Sequence, residues 1–179
     1  MMAMMVVTAM LAAAPRVAIL PADGNSGVSV TLIQSKLDKV RVIDRKMLST
    51  YEREAALSGK ALADIGVDYL VLVRTAILPA KTPLWAQIMY EYIRFYEVTT
   101  IIEVVDPPTA EILKTIVLTT RAPGADVDAG LAISGQVVLL EKSKEKSKPI
   151  KDGVTYAANE LYKVFGVAAP EPDDAPRKK

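Results

Sequence analysis

The chain has 179 residues, 51% apolar and 24% charged, with 22 basic and 21 acidic side chains and a formal net charge of +1. That is one globular domain with tails, able to bury roughly 70% of its unfolded surface without a metal or disulfide. The charge balance argues against a general nucleic-acid binder, and the lack of Cys and His removes thiol nucleophiles, Cys/His zinc sites, Ser-His-Asp triads and imidazole acid–base chemistry, while leaving the redox compartment open.

Residues 1–15 open with an uncharged apolar run, Met1 to Ala14. It is too short to span a bilayer, which takes about 20 apolar residues. Its length and its Ala12-Ala13-Ala14 ending fit the apolar region and cleavage site of a secretory signal. The lack of Lys or Arg ahead of it, and Pro15 beside the cleaved bond, speak against that reading. The alternatives are an apolar N-terminal helix packed on the domain, or a start codon misplaced inside a longer signal. No cysteine follows the run to carry a lipid anchor at this point.

Arg16–Leu20 reads as a short buried strand and Pro21–Gly27 as a loop. Val28, Leu32, Ile33, Leu37 and Val40 recur at helical spacing, with Ser26 or Asn25 as the cap. Arg41–Ile43 is a second strand. Asp44 then caps a helix carrying Met47, Leu48, Tyr51 and Ala55, and Ser58 caps a shorter one over Gly59–Ile65. Gly66 suits the position just past that helix. The run Val67 to Val73 is nearly unbroken in apolar β-formers, the mark of a strand covered on both faces. We place this central strand near 67–77. Strand–helix–strand–helix–strand implies parallel pairing with right-handed crossovers.

Leu78–Leu84 holds Pro79 and Pro83 and reads as a loop. Trp85–Tyr96 is rich in aromatics. A long antiparallel hairpin follows over about 88–121, turning at Asp106–Ala110. Ala122–Asp128 is a loop. Gly130–Glu141 is compatible with helix or strand, and Lys142–Lys148 reads as a solvated basic linker. Asp152 caps an amphipathic helix with Val154, Ala158, Leu161 and Phe165 on one face and Gly166 at its end. The expected whole is one α/β domain over 16–167, with a mixed sheet and helices packed on it, and a disordered tail over 168–179.

Four pieces in this order resemble one family. They are Arg16–Pro21, Val40-Arg-Val-Ile-Asp-Arg45, the Glu52–Gly66 stretch leading into Val71, and Thr99–Leu113. Together they are similar to the periplasmic α/β domain of the curli-assembly (CsgG) family, to the N-terminal domain of TolB and to LpoB-type activators. Ile43-Asp44-Arg45 matches the family's strand-to-helix step. Asp106-Pro-Pro-Thr-Ala-Glu-Ile-Leu113 matches its hairpin, with Ala110 where the family has Gly. The resemblance covers roughly 16–121 plus the last helix. It implies a small envelope module that docks onto other proteins. Pore formation is not carried over, because the chain lacks both the anchoring cysteine and the paired alternating runs of a membrane barrel.

Candidate sites are few. Trp85, Tyr90, Tyr92, Arg94 and Tyr96 are the residue types enriched at binding hot spots, and they are the expected partner-binding set. Core packing of alternate members is the competing reading. Gly24, Asn25, Ser26 and Gly27, after Asp23, lie where α/β proteins hold phosphates. They match neither nucleotide-binding glycine motif, so an ordinary turn is the simpler reading. Asp44 and Arg45 invite a catalytic reading, as does Asp68, but no second carboxylate is spaced to make a dyad or metal site; Asp44 as a helix cap, with Arg45 pairing a carboxylate or covering a helix end, is the simpler reading. The expectation is a non-enzymatic, periplasmic or secreted protein-binding module with no cofactor and no metal. Its partners would be other envelope proteins or copies of itself, without nucleic acid and without a stable membrane span. A nucleotide- or phosphometabolite-binding protein using Asp23–Gly27, and a cytoplasmic adaptor, are the alternatives.

Overall fold

The computed structural model describes residues 13–43, 66–84, 88, 94–124, 133, 137–139 and 148–170. These residues form strands β1 (Arg16–Pro21), β2 (Arg41–Val42), β3 (Tyr69–Ala80), β4 (Phe95–Asp106), β5 (Glu111–Pro123), β6 (Val137–Leu139) and β7 (Lys148–Ile150), with helices α1 (Gly27–Gln34) and α2 (Gly153–Val164). Among them one seven-stranded mixed sheet runs in the order β2-β1-β3-β4-β5-β6-β7. β1 pairs in parallel with β2 and with β3, from Val17↔Tyr69 to Pro21↔Val73. The β3–β4 and β4–β5 pairs are antiparallel and much longer. The expected α/β fold with a parallel N-terminal part, a long hairpin and a C-terminal helix is what forms.

Alternation along the strands sends Val71 and Val73 of β3, Ile102 and Val104 of β4, and Ile116 and Leu118 of β5 to one face. There they meet Val30 and Ile33 of α1 and Val154, Ala157, Leu161 and Tyr162 of α2 in the main core. Each valine, leucine and isoleucine among them, fully buried, contributes about 1.5–3 kcal/mol. Helix α2 forms because its apolar residues recur every three or four positions. Asp152 starts it, accepting hydrogen bonds from the Val154 and Thr155 amides. Gly166, at φ 67°, ends it: its own amide donates to the Lys163 carbonyl and the Val167 amide to the Tyr162 carbonyl. That pairing closes a Schellman cap. On the other face a smaller cluster of Ala18, Ile43 and Val67 packs with Leu20 and Leu70.

Several expectations need correction. β3 continues through Pro79 to Ala80 instead of stopping near residue 77. The backbone explains why proline is tolerated. The Val73 carbonyl and the Thr75 amide face the β1 side, bonding the Ala22 amide and the Asp23 carboxylate. By alternation residue 79 faces the same way, beyond the end of β1, where no ladder bond is lost. β3 is covered on both faces only in its first half, since Arg74, Ala76 and Leu78 are exposed. The hairpin begins at Phe95, and Ile88 lies in helical backbone. Helix α1 stops at Gln34, because Lys36 and Leu37 bond back only three residues. Lys148 belongs to β7 and not to the linker. Of Gly130–Glu141, Val137–Leu139 is strand. Asp44, Arg45, the two helices expected between 44 and 65, residues 142–147 and residues 171–179 lie outside the described residues.

Candidate functional site

At the end of the sheet where β1 and β3 begin and β4 ends, the strands border a cleft of about 940 Å³. Its wall and floor include Tyr69, Phe165, Leu113, Lys39, Asp68 and Asp106. The Tyr69 and Phe165 rings lie 4.9 Å apart, tilted by 38°. Tyr162 belongs to the same core cluster and turns its hydroxyl to the turn after α1. It bonds the Asp38 carboxylate at 2.7 Å and the Lys36 carbonyl at 3.0 Å, and accepts from the Lys39 amide. Burial, and then the Asp38 hydrogen bond, raise the Tyr162 pKa, so this phenol stays protonated as a donor. Lys39 Nζ donates to the Ala168 carbonyl, tying the same turn to the chain beyond α2.

Leu113 reaches the cleft through an irregularity. The β4–β5 register jumps between Val104 and Val105, from Val104↔Lys114 to Val105↔Ile112, so Leu113 has no partner across the ladder. A bulge of this kind re-aims a side chain. Ile112 and Leu113 remain 53% and 45% exposed, unusual for large apolar residues in a sheet. The turn beside them is fixed by Asp106, which accepts from the Thr109 hydroxyl through its carboxylate and from the Ala110 amide through its carbonyl. Asp68 accepts from the Arg16 amide at 2.7 Å, joining the starts of β1 and β3. Both cleft carboxylates therefore serve the backbone or a turn. Among the described residues no three His, Cys, Asp or Glu side chains converge as metal ligands do.

The other end of the sheet buries Phe95, Val98 and Ala122 but also carries exposed apolar side chains. β3, β4 and β5 run 12 to 13 residues against six for β1, so their second halves extend past β1. Here Leu78 is 61% exposed, Leu84 77% and Ile88 82%. Of the expected partner-binding residues, Arg94 is exposed, and Tyr96 packs with Ile77 on the small cluster of Val98 and Ala122. Trp85, Tyr90 and Tyr92 lie outside the described residues.

The Pro21–Gly27 loop stands against β3. The Asp23 carboxylate accepts from the Asn25 amide at 3.0 Å and the Thr75 amide at 2.6 Å, and the buried Ser26 hydroxyl donates to the Asp23 carbonyl. Ser26 precedes α1 without making a side-chain cap bond. Gly24 and Gly27 face open space. The loop's geometry is thus organised around a carboxylate of its own chain.

Residue composition alone does not reveal the cleft. One signal was available: Ile112 and Leu113 are consecutive in a strand, and alternation sends neighbours to opposite faces unless a bulge intervenes.

No family model matches the chain and no curated protein does. Solved structures give distant likenesses. Lipoprotein GNA1162 from Neisseria meningitidis is 13% identical, with 66% of this chain and 90% of that one covered at a TM-score of 0.45. The hypothetical protein CT253 from Chlamydia trachomatis is 12% identical, with 64% and 76% covered at 0.39. TolB from Acinetobacter baumannii is 12% identical, with 79% and 39% covered at 0.37.

Proposed function

We propose that the chain is a non-enzymatic protein-binding module of a bacterial cell envelope, whose cleft seats an apolar anchor side chain of its protein partner. The observation that carries the proposal is the bulged Leu113, half exposed at the mouth of a cleft floored by Tyr69 and Phe165. Interface energy concentrates in a few large anchors that fill a pocket and are ringed by contacts that exclude water. The surrounding polar groups are committed to turns and strand ends, so the cleft offers contact area and little acid–base machinery. The uncharged Met1–Ala14 run supports an envelope location, and so does the resemblance of Asp106–Leu113 to envelope domains.

Cross-linking with mass spectrometry on native envelopes tests this. Lys39 and Lys114 border or adjoin the cleft, and both are expected to link to one partner protein. Leu113→Arg is expected to erase those links while leaving the fold intact by circular dichroism. Links that persist unchanged in Leu113→Arg would remove the cleft from the interface.

A further inference from the structure

The end of the sheet that carries Leu78, Leu84 and Ile88 has a second chemistry. We infer that it is a membrane-docking tip for an anionic phospholipid surface, acting independently of the cleft. Leu84 and Ile88 both lie in helical backbone, and both are mostly exposed. Leu78, at the end of β3, adds a third exposed apolar side chain. Exposed cations bracket this surface. Lys81 follows the last residue of β3 and Arg94 precedes the first of β4, the two strand ends that pair as Ala80↔Phe95. Among the described residues, Glu97 and Arg121 are direct cross-strand neighbours and offset one another.

Apolar side chains at a projecting end, with a cation at each flank, suit an interface where the apolar groups enter the acyl boundary and the cations stay with phosphate headgroups. A protein hot spot looks different: its anchor typically fills a pocket and is ringed by contacts that exclude water. Leu84 and Ile88, at 77% and 82% exposure, fill no pocket of this kind. No described helix is long and apolar enough to cross a membrane, so the contact is peripheral.

The full chain carries one tryptophan, Trp85, next to Leu84, which makes it the reporter. With vesicles of phosphatidylcholine and phosphatidylglycerol in equal parts, the protein is expected to float with the lipid and its emission to shift to the blue. Phosphatidylcholine alone, or about 0.5 M salt, should weaken both effects, because the headgroup attraction is screened. Each cation near such a surface is worth about five-fold in partition, so Lys81→Gln with Arg94→Gln should cost on the order of 25-fold. Leu84→Ser with Ile88→Ser should cost on the order of 100-fold. All four positions are exposed, and circular dichroism checks that each variant folds.

Failure to float would overturn the inference. So would flotation that survives both variant pairs, which would place the contact elsewhere, for instance in Met1–Ala12. Concentration-dependent self-association without lipid, abolished by the double serine variant and accompanied by no vesicle binding, would assign the tip to a second copy of the chain.

Discussion

Ala110 sits at φ 57° in the β4–β5 turn, a left-handed conformation that L side chains rarely adopt. The residue costs about 1–2 kcal/mol there relative to a glycine, less the entropy glycine loses on folding. Ala110→Gly should therefore raise stability by about 0.5–1 kcal/mol, seen as a higher urea midpoint at unchanged slope. Gly66→Ala should do the reverse. At φ 71° the added Cβ would be strained, and it would also stand 2.6 Å from Arg16 Nη1. Thr75 and Thr100 face each other across β3 and β4, and both hydroxyls are buried without a partner. Leaving such a group unsatisfied costs about 1–3 kcal/mol. Thr100→Val is expected to stabilise the fold, and a lower urea midpoint would show that the hydroxyl has a bond after all. Ala110 was legible in the sequence as a departure from glycine. The threonine pair was not, since only the register brings the two together.

Helix α2 is fastened to the sheet by more than its apolar stripe. Glu160, with its side chain 13% exposed, reaches Lys114 of β5 at 3.4 Å and Lys163 of its own helix. Burial pushes the Glu160 pKa up, but the hydrogen bonds and charges of the two lysines outweigh it and leave it lowered. A depressed carboxylate stabilises the fold above its unfolded pKa and loses that contribution as pH falls through the folded value. Chemical denaturation from pH 7 downward should thus show a loss below about pH 4.3 that is smaller in Glu160→Gln. Near pH 7 the variant should be the less stable by about 1 kcal/mol at most, as partly exposed ion pairs allow. An identical pH profile in both proteins would mean that the cluster contributes nothing. The amphipathic spacing, Asp152 and Gly166 made this helix readable in advance. The length of β3 was misread, because Pro79 signals a break unless one knows that its missing amide faces a free edge. Nor does the sequence show where the helical cover of a strand gives out: Leu78 looks as buried as Leu72 until the sheet is assembled.

Taken whole, the molecule is a sheet with two dissimilar ends separated by roughly 35–40 Å, the length of a 12-residue strand. One end is concave, aromatic and organised by turns. The other is apolar, projecting and flanked by cations. The α/β fold and its parallel N-terminal half were legible from periodicity and from the turn residues. The aromatic run points to the second end, while the cleft is not legible because Tyr69, Leu113 and Phe165 come from three distant segments. Only folding brings them together. The two ends are expected to touch different neighbours, a protein at Leu113 and lipid at Ile88. A photoreactive p-benzoylphenylalanine placed at position 88 or 113 of the full chain, irradiated in native envelopes and read by mass, tests this most directly. The predicted result is a phospholipid adduct from position 88 and a discrete protein adduct from position 113. Protein adducts from both positions, or none from 113, would contradict it.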